Sequence, residues 1–408
     1  MWKQTIVAVL LICVGSIVFA KPQRPLDDAA FQQWLQQVIA PKAKAAGIRP
    51  ATLKHLESLT LNHRIIQQDR RQAEFVLSFW QYYTRTVTPE RIEKGRQLLA
   101  RYQPILDQVT AQTGVPGRFL IAYWGMETRY GGFTGTTPVL QALATLAYEG
   151  RREKFFTREL IAALKVLQNN RFPPEQLKGS WAGAMGQMQF MPSNYLHYGQ
   201  DGDGDGKVDL WQSMADAFLS AGYFLQRLGW RPGETWGREV QLTASFKRYE
   251  LADGLQRRSL DEWAKLGVRR ADGNPLPKGE MMAALYLPMG KEGPAFLLYQ
   301  NFYVIKKWNR SDYYAVAVGR LADRIIGGPP LHKKPPADPQ PLPRARLKAI
   351  QHKLNALGYN AGKVDGIFGH RSRAALRQWQ QDHGEIPDGF PSEQTWWRLH
   401  ETETAVQR

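Results

Sequence analysis

One glutamate is set apart by its neighbours. It ends the segment Gly114-Val115-Pro116-Gly117-Arg118-Phe119-Leu120-Ile121-Ala122-Tyr123-Trp124-Gly125-Met126-Glu127, which continues Thr128-Arg129-Tyr130-Gly131-Gly132. Pro116 suits a first helical turn, and the apolar run behind it predicts a helix buried on most sides, with Glu127 near its end beside Trp124, Met126 and Tyr130. A carboxyl among apolar and aromatic groups holds its proton to higher pH, as a general acid must at neutrality. An ion pair with Arg129 or another base is the competing structural role. A second segment, Ser180 to Ser193, packs Gly183, Ala184, Gly186, Gln187, Gln189 and flat apolar side chains into 14 positions. Small residues let a ligand approach the backbone, and Gln187 and Gln189 can bond to amides and hydroxyls. The segment therefore reads as one wall of a sugar groove, or as tight helix packing. No second acid has such a setting: Glu149, Glu153 and Glu159 lie in a charged helical stretch that reads as a solvated face.

A different chemistry is written in Asp201-Gly202-Asp203-Gly204-Asp205-Gly206-Lys207-Val208-Asp209. Side-chain oxygens fall at loop positions 1, 3, 5 and 9, the Lys207 carbonyl at 7 and Gly206 at 6, the pattern of an EF-hand calcium loop. Gln212 stands where a bidentate Glu is usual, and Asp216 one turn on is the expected substitute, so the loop 201–216 predicts a structural Ca²⁺ site, or a weak Na⁺ site. Lying inside the chain's largest region, it reads as a clip rather than a sensor.

The elements that must position these groups are mostly helical. From Leu26 to about Tyr102, Phe31, Trp34, Leu35, Val38 and Ile39 recur at the spacing of one buried helix face, and Pro41, Pro50, Pro89 and Pro104 divide the stretch. Helical text continues to Trp230. Between Gln241 and Pro288, runs such as Val240-Gln241-Leu242-Thr243 and Ala283 to Leu287, split by Gly and Pro, predict a small β insertion. Gly327 to Pro343 has seven prolines in 17 residues, the composition of an extended spacer. Beyond it, Arg344 to about His400 forms a unit with an internal echo: Asp365-Gly366-Ile367-Phe368-Gly369 then Ser372, and Asp388-Gly389-Phe390-Pro391-Ser392 then Thr395. Each Asp-Gly predicts a tight turn before a helix, and Leu347 to Leu357 predicts a helix closed by Gly358.

Composition narrows the classes. The 408 residues are 43% hydrophobic and 22% charged, which excludes a wholly disordered chain and suits two or three domains. Residues 1–20, with Lys3, an apolar centre and Ala20 before Lys21-Pro22, have the order of a cleaved secretory signal. The sole cysteine, Cys13, lies inside it after the bulky Ile12, which argues against a lipoprotein and leaves the mature chain without disulfides. No other stretch suits a membrane helix, so a soluble monomer in the bacterial periplasm or wall, with no membrane insertion after cleavage, is expected. The net charge of +17 comes from dispersed residues rather than a basic face with stacking aromatics, which speaks against nucleic acid and for anionic wall polymers.

The Glu127-Thr128-Arg129-Tyr130-Gly131 context, the Gly183-Ala184-Met185-Gly186 to Ser193 segment and Asn301 to Val318 occur in one order, and together the stretch from about Leu26 to Gly327 resembles the membrane-bound lytic murein transglycosylase B family and its soluble relatives. The tail resembles the three-helix peptidoglycan-binding module of wall hydrolases; a helical dimerisation module is its plain alternative. The resemblance implies a mainly α (α+β) protein: signal at 1–20, a lysozyme-like catalytic region at 21–328 with a helical N-terminal part and a small β insertion, a linker at 329–343 and the module at 344–402. It implies cleavage of the glycan strand by Glu127 alone, acting as acid and then base, with a 1,6-anhydro product and no catalytic cofactor. It places Ser180 and Gln189 beside the acid, Asn309 and Tyr314 as a polar pair, Tyr223 and Tyr82 against the sugars, and Arg151 and Arg152 near the peptide stem. Asp201, Asp203, Asp205, Lys207, Asp209 and Asp216 would hold the cation. Trp308 departs from the family's Tyr, which alters a hydrogen bond. The implied partners are glycan strands, peptide stems and other wall enzymes. A hydrolytic muramidase and a catalytically silent wall-binding scaffold are the rival functions.

Overall fold

The computed structural model describes residues 24–71, 77–170, 173–335 and 342–406. The expected signal at 1–20, Cys13 and residues 336–341 of the expected linker lie outside the described residues. Asp28–Trp34, a π-turn at Leu35–Ile39 and Ala40–Ala45 form one continuous helical run. Pro41 therefore divides nothing. The Ala40 N–H reaches the Leu35 carbonyl across the wide turn, which absorbs the bond that proline cannot make. Pro50 and Pro89 open new helices, Pro50–Leu53 and Pro89–Arg101, as the sequence predicts.

The Gly117–Thr128 helix is the axis of the large region. Phe119 to Trp124 are all buried, and the Pro89–Arg101, Gln103–Thr113, Met214–Arg227 and Asp312–Ile325 helices pack around it. Two glycines make that closeness feasible. A Cβ on Gly125 would lie 2.6 Å from the Tyr130 ring, and one on Gly95 would lie 2.7 Å from its hydroxyl.

The β insertion is larger than the sequence suggests. Five antiparallel strands run in the order Asp253–Ser259, Met282–Tyr286, Ala295–Leu298, Gly237–Leu242 and Val268–Arg270. Alternate residues serve two cores: Leu285 and Leu297 face a small cluster around Trp263, while Tyr286, Phe296 and Leu298 join the main core. Trp236 links the sheet to the Asp312–Ile325 helix by donating from Nε1 to Asp323 at 2.9 Å. Its ring lies 2.1 Å from where a Cβ on Gly319 would stand.

In the tail, helices Arg344–Ala356, His370–Asp382 and Glu393–Val406 close over Leu347, Ile350, Leu354, Leu376, Trp379 and Leu399. The echo in the sequence is an echo in bonding. Gln351 accepts from Gly366 N–H and Gln380 from Gly389 N–H, both at 2.8 Å, so one buried glutamine holds each Asp-Gly turn. The glycines have φ of 75° and 68°, which the turns require. This unit is docked rather than tethered. Arg377 donates to the Ala252 carbonyl at 2.8 Å, and Asp388 accepts from Lys291 N–H at 3.0 Å. The start of the expected spacer is fixed as well: Leu331 is buried, and the His332 and Lys333 N–H groups donate to Glu239. The described part of the proline-rich stretch thus follows the body surface, because buried acceptors anchor its free N–H groups.

Candidate active site

Glu127 sits in the last turn of the Gly117–Thr128 helix, which stops abruptly. Arg129 (φ 54°), Tyr130 (61°) and Gly131 (78°) are all left-handed. Thr128 stabilises this ending by accepting from Gly131 N–H and donating to the Gln187 carbonyl, each at 3.0 Å. Tyr130 swings back to donate to the Arg91 carbonyl at 2.8 Å. The helix end, held on both sides, keeps Glu127 half-buried.

The structural alternative for Glu127, an ion pair, is not realised among the described residues; Arg129 is exposed. One oxygen, Oε1, instead accepts from Trp308 Nε1 at 3.1 Å and from the Tyr314 hydroxyl at shorter range. Tyr123 packs its ring against Trp308 (4.5 Å between centroids) and Tyr314 (6.3 Å). Phe190 and Phe224 flank the other side of Trp308. Burial in this aromatic box raises the Glu127 carboxyl from the usual 4.5 to about 7, against the pull of the two donors, which favour the charged form. No neighbouring carboxylate contributes to that shift. Burial also pushes Tyr82 up to about 12, with the Glu127 charge adding to it, and Tyr314 well above the usual 10. Both phenols are therefore donors near neutrality.

Trp308 is the functional residue that sequence reading undervalues. It marks a departure from a family pattern, and it supplies one of the two bonds to the acid. The rest of its segment divides by position: Tyr314 reaches Glu127, whereas Asn309 is exposed in the turn after the Gln300–Trp308 helix, its Oδ1 accepting from Ser311 N–H at 3.2 Å.

The Ser180–Ser193 segment is a hairpin-like loop bridged at Gly179, Met185 and Phe190. The Ser180 hydroxyl accepts from Ala184 N–H at 3.1 Å. Gln189 has φ 49° and donates to the Thr134 and Gly186 carbonyls. Gln187, expected to meet a substrate, is fully used inside the protein: it accepts from Trp124 Nε1 at 2.8 Å and donates to the Trp211 carbonyl at 2.9 Å. It braces the catalytic helix against the loop. Tyr223 joins this aromatic set through Tyr198 (6.5 Å), which stacks on Phe224, whereas Tyr82 packs on Tyr313 (6.4 Å).

Glu159 corrects the expectation of a solvated face. It is 1% exposed and accepts from Ser193 N–H at 3.0 Å and Ser193 Oγ at 2.9 Å, tying its helix to the start of Pro192–Tyr198. Arg151 pairs with Glu149 and Asp69, and Arg152 lies 4.3 Å over the Phe155 ring. Both line a basic concavity of about 890 Å³ with Lys42, Lys154 and Arg158. No described contact joins this concavity to the Glu127 cluster.

In the acidic loop, oxygens of Asp201, Asp203 and Asp205 lie within 4.8 Å of one another. Asp201 accepts from Gly204 and Gly206 N–H, which curls the loop around that cluster. Asp216 stands outside it. Its two oxygens accept from Gly202 N–H (2.7 Å) and Asp209 N–H (2.6 Å), so it clamps the loop's two ends. Asp209 turns one oxygen to the Trp211 and Gln212 N–H groups. The Lys207 N–H donates to Asp205 at 2.8 Å.

Known proteins match the chain over most of its length. Residues 30–323 match the family described as transglycosylase SLT domain, and residues 343–399 match a peptidoglycan binding domain. The chain is 32% identical over 246 residues to membrane-bound lytic murein transglycosylase B of Escherichia coli K12, a match that spans 60% of this chain and 66% of that protein, just under two thirds. SltB3 of Pseudomonas aeruginosa, solved with NAG-anhNAM-pentapeptide, is 41% identical and superposes with a TM-score of 0.87 over 91% of this chain and 99% of that one. Escherichia coli Slt35, solved with calcium, is 28% identical, with a TM-score of 0.63 over 74% and 96%.

Proposed function

The chain belongs to the transglycosylase SLT domain family, and from that membership and the setting of Glu127 we propose that it cuts the MurNAc–GlcNAc bond of peptidoglycan without water, closing a 1,6-anhydro ring on the muramoyl sugar. The observation that carries this reading is a lone buried carboxyl, raised to about 7, held by two donors on one oxygen and without a second carboxylate acting on it. A retaining glycosidase needs a nucleophilic carboxylate about 5 Å from its acid, and an inverting one needs a base further off. Near neutrality much of Glu127 is protonated, and its Oε2 faces no protein donor among the described residues. It gives that proton to the glycosidic oxygen as the C1–O bond breaks. The resulting carboxylate is stabilised by Trp308 and Tyr314. It then takes the proton of the muramoyl C6 hydroxyl while that oxygen bonds to C1. Glu127 ends protonated, and no water is consumed.

Ser180, Gln189, Tyr82, Tyr223 and Asn309 would line the strand's path; the Oε1 of Gln189, without a donor among the described residues, and the flat tyrosine faces suit sugars. Arg151 and Arg152, in a basic concavity, would attract stem carboxylates. The acidic loop suits Ca²⁺ through Asp201, Asp203 and Asp205, joined by the Lys207 carbonyl and Asp209, with Asp216 as the clamp; Slt35, solved with calcium, supports that choice. The C-terminal module would hold the enzyme on the wall, and the N-terminal segment would send it to the periplasm. The test is digestion of purified peptidoglycan with mass measurement of the fragments beside a Glu127→Gln control. Products lighter by one water than hydrolytic ones are expected; reducing ends would make the protein a muramidase.

A further inference from the structure

Two donors hold the Glu127 carboxyl, and one ring touches both of them. Trp308 is caged by Tyr123 at 4.5 Å, Phe224 at 5.1 Å and Phe190 at 5.4 Å between centroids. Among the described residues, only Tyr123 of these three also meets Tyr314, at 6.3 Å. At such spacings aromatic rings attract one another in preferred orientations.

Tyr123 is carried by the Gly117–Thr128 helix, as Glu127 is. Four residues apart, the two share a helix face, and a helical side chain leans towards the N-terminus over the residue one turn before it. The carboxyl therefore leans over Tyr123, while its donors arrive from the Gln300–Trp308 and Asp312–Ile325 helices. Three elements meet at this one ring. The position uses the ring and not the hydroxyl: Tyr123 is 0% exposed, and its hydroxyl is shut off from solvent and meets no hydrogen-bond partner among the described residues. A buried hydroxyl without a partner costs stability. Burial also pushes it well above the usual 10, with the Glu127 charge adding to that, so it brings no charge near neutrality. The same holds for Tyr82 and Tyr314, two further phenols that feel Glu127.

We propose that Tyr123 is a positioning residue for the reaction of Glu127: its ring is the spacer that keeps the Trp308 indole and the Tyr314 hydroxyl aimed at one oxygen of the acid. The assignment rests on the reading of Glu127 as acid and base, and adds to it the part that holds the donors. Without the ring the indole can turn away, the carboxylate loses a donor that favours it, and Glu127 keeps its proton to higher pH. A ring that served only to exclude water would act with the opposite sign, since admitted water favours the charged form.

The test follows the carboxyl-carbon resonance of Glu127 across pH in the full chain, identified as the one lost in Glu127→Gln. It reports ionisation without any turnover, with a midpoint of about 7 in the parent. Tyr123→Leu should move the midpoint upward and cut strand cleavage at neutrality about tenfold or more, the size expected when a donor to a buried charge is lost. Tyr123→Phe keeps the ring and should leave both unchanged. Phe119→Leu, equally buried on the same helix but packed on Trp230 at 4.7 Å, controls for a loosened core. It should lose stability in urea and leave the midpoint in place. Combining Tyr123→Leu with Trp308→Phe should slow cleavage by clearly less than the product of the two single losses, because one acts through the other. An unmoved or lowered midpoint in Tyr123→Leu, a shift in Phe119→Leu or Tyr123→Phe, or fully multiplicative losses would overturn the assignment. A parent that cleaves no strand would count against the catalytic reading, and the midpoint would still decide the part played by Tyr123.

Discussion

Glu127→Gln should abolish cleavage and, above neutral pH, make the protein more stable. In the unfolded chain the carboxyl ionises at its ordinary value; in the folded chain burial lifts it from 4.5 to about 7. Between those values the folded protein keeps a proton that the unfolded chain has lost, so stability falls as pH rises through that window. A difference of about 2.5 units is worth about 3 kcal/mol, fully present above about pH 8 and absent below about pH 4. Glu127 is partly open to solvent, and solvent screening makes that figure an upper bound. Glutamine has the same shape, can accept from Trp308 and Tyr314 through its carbonyl, and carries no charge to bury. Its gain is therefore the charge penalty that the parent bears. Urea unfolding of both proteins at about pH 5 and about pH 8 reads it. The variant should gain about 1 kcal/mol or less at the lower pH and up to about 3 kcal/mol at the higher. An equal offset at both, or a variant weaker at the higher pH, would show that Glu127 ionises as an exposed acid and would refute the argument from burial.

Trp308→Phe removes a donor that favours the carboxylate, so the alkaline limb of the pH–activity profile should move upward while turnover at neutrality falls about tenfold or more, read from strand cleavage across pH. An unmoved limb would leave Trp308 a packing residue only. Glu159→Ala strands the Ser193 N–H and hydroxyl and should cost about 2–3 kcal/mol in urea unfolding; a neutral result would return it to the solvated face. Calcium should raise the melting temperature of the parent, and Asp201→Asn should suppress that rise, because Asp201 both lies in the oxygen cluster and shapes the loop. A rise that persists in the variant would place the ion elsewhere.

What the sequence made legible follows from the range of the signal. Glu127 was visible because its contrast with Tyr123, Trp124 and Tyr130 is local. The acidic loop was visible because its spacing is local, but the work of Asp216 was not, since a clamp is recognised only by what its oxygens touch. Gln187 and Gln189 look alike on paper, and only geometry shows that both amide atoms of Gln187 are consumed by Trp124 and Trp211. For Glu159 a signal existed: Phe156 and Ala163, three residues before and four after, are buried, so helical spacing already put it on the inner face. The Ala295–Leu298 strand, apolar at every position, lacks alternation because both its faces are covered. The docking of the tail left no trace in its own helices beyond Arg377, a charge whose burial no pattern announces.

The bond between Trp308 and Glu127 spans 181 residues and, in the mechanism proposed, would let one carboxyl perform two opposite tasks. Indole N–H can only donate, and the Tyr314 hydroxyl, pushed well above 10, stays protonated and donates too. Both aim at Oε1, so in the acid form the proton must reside on Oε2, the oxygen left for the substrate. Burial stabilises the form that gives the proton, and the two donors stabilise the form that takes one back. With these influences opposed, the carboxyl settles near 7 and neither state is so favoured that the next step becomes uphill. A second carboxylate would upset this balance, since its charge would hold Glu127 protonated and slow the proposed return step, in which the C6 hydroxyl gives up its proton.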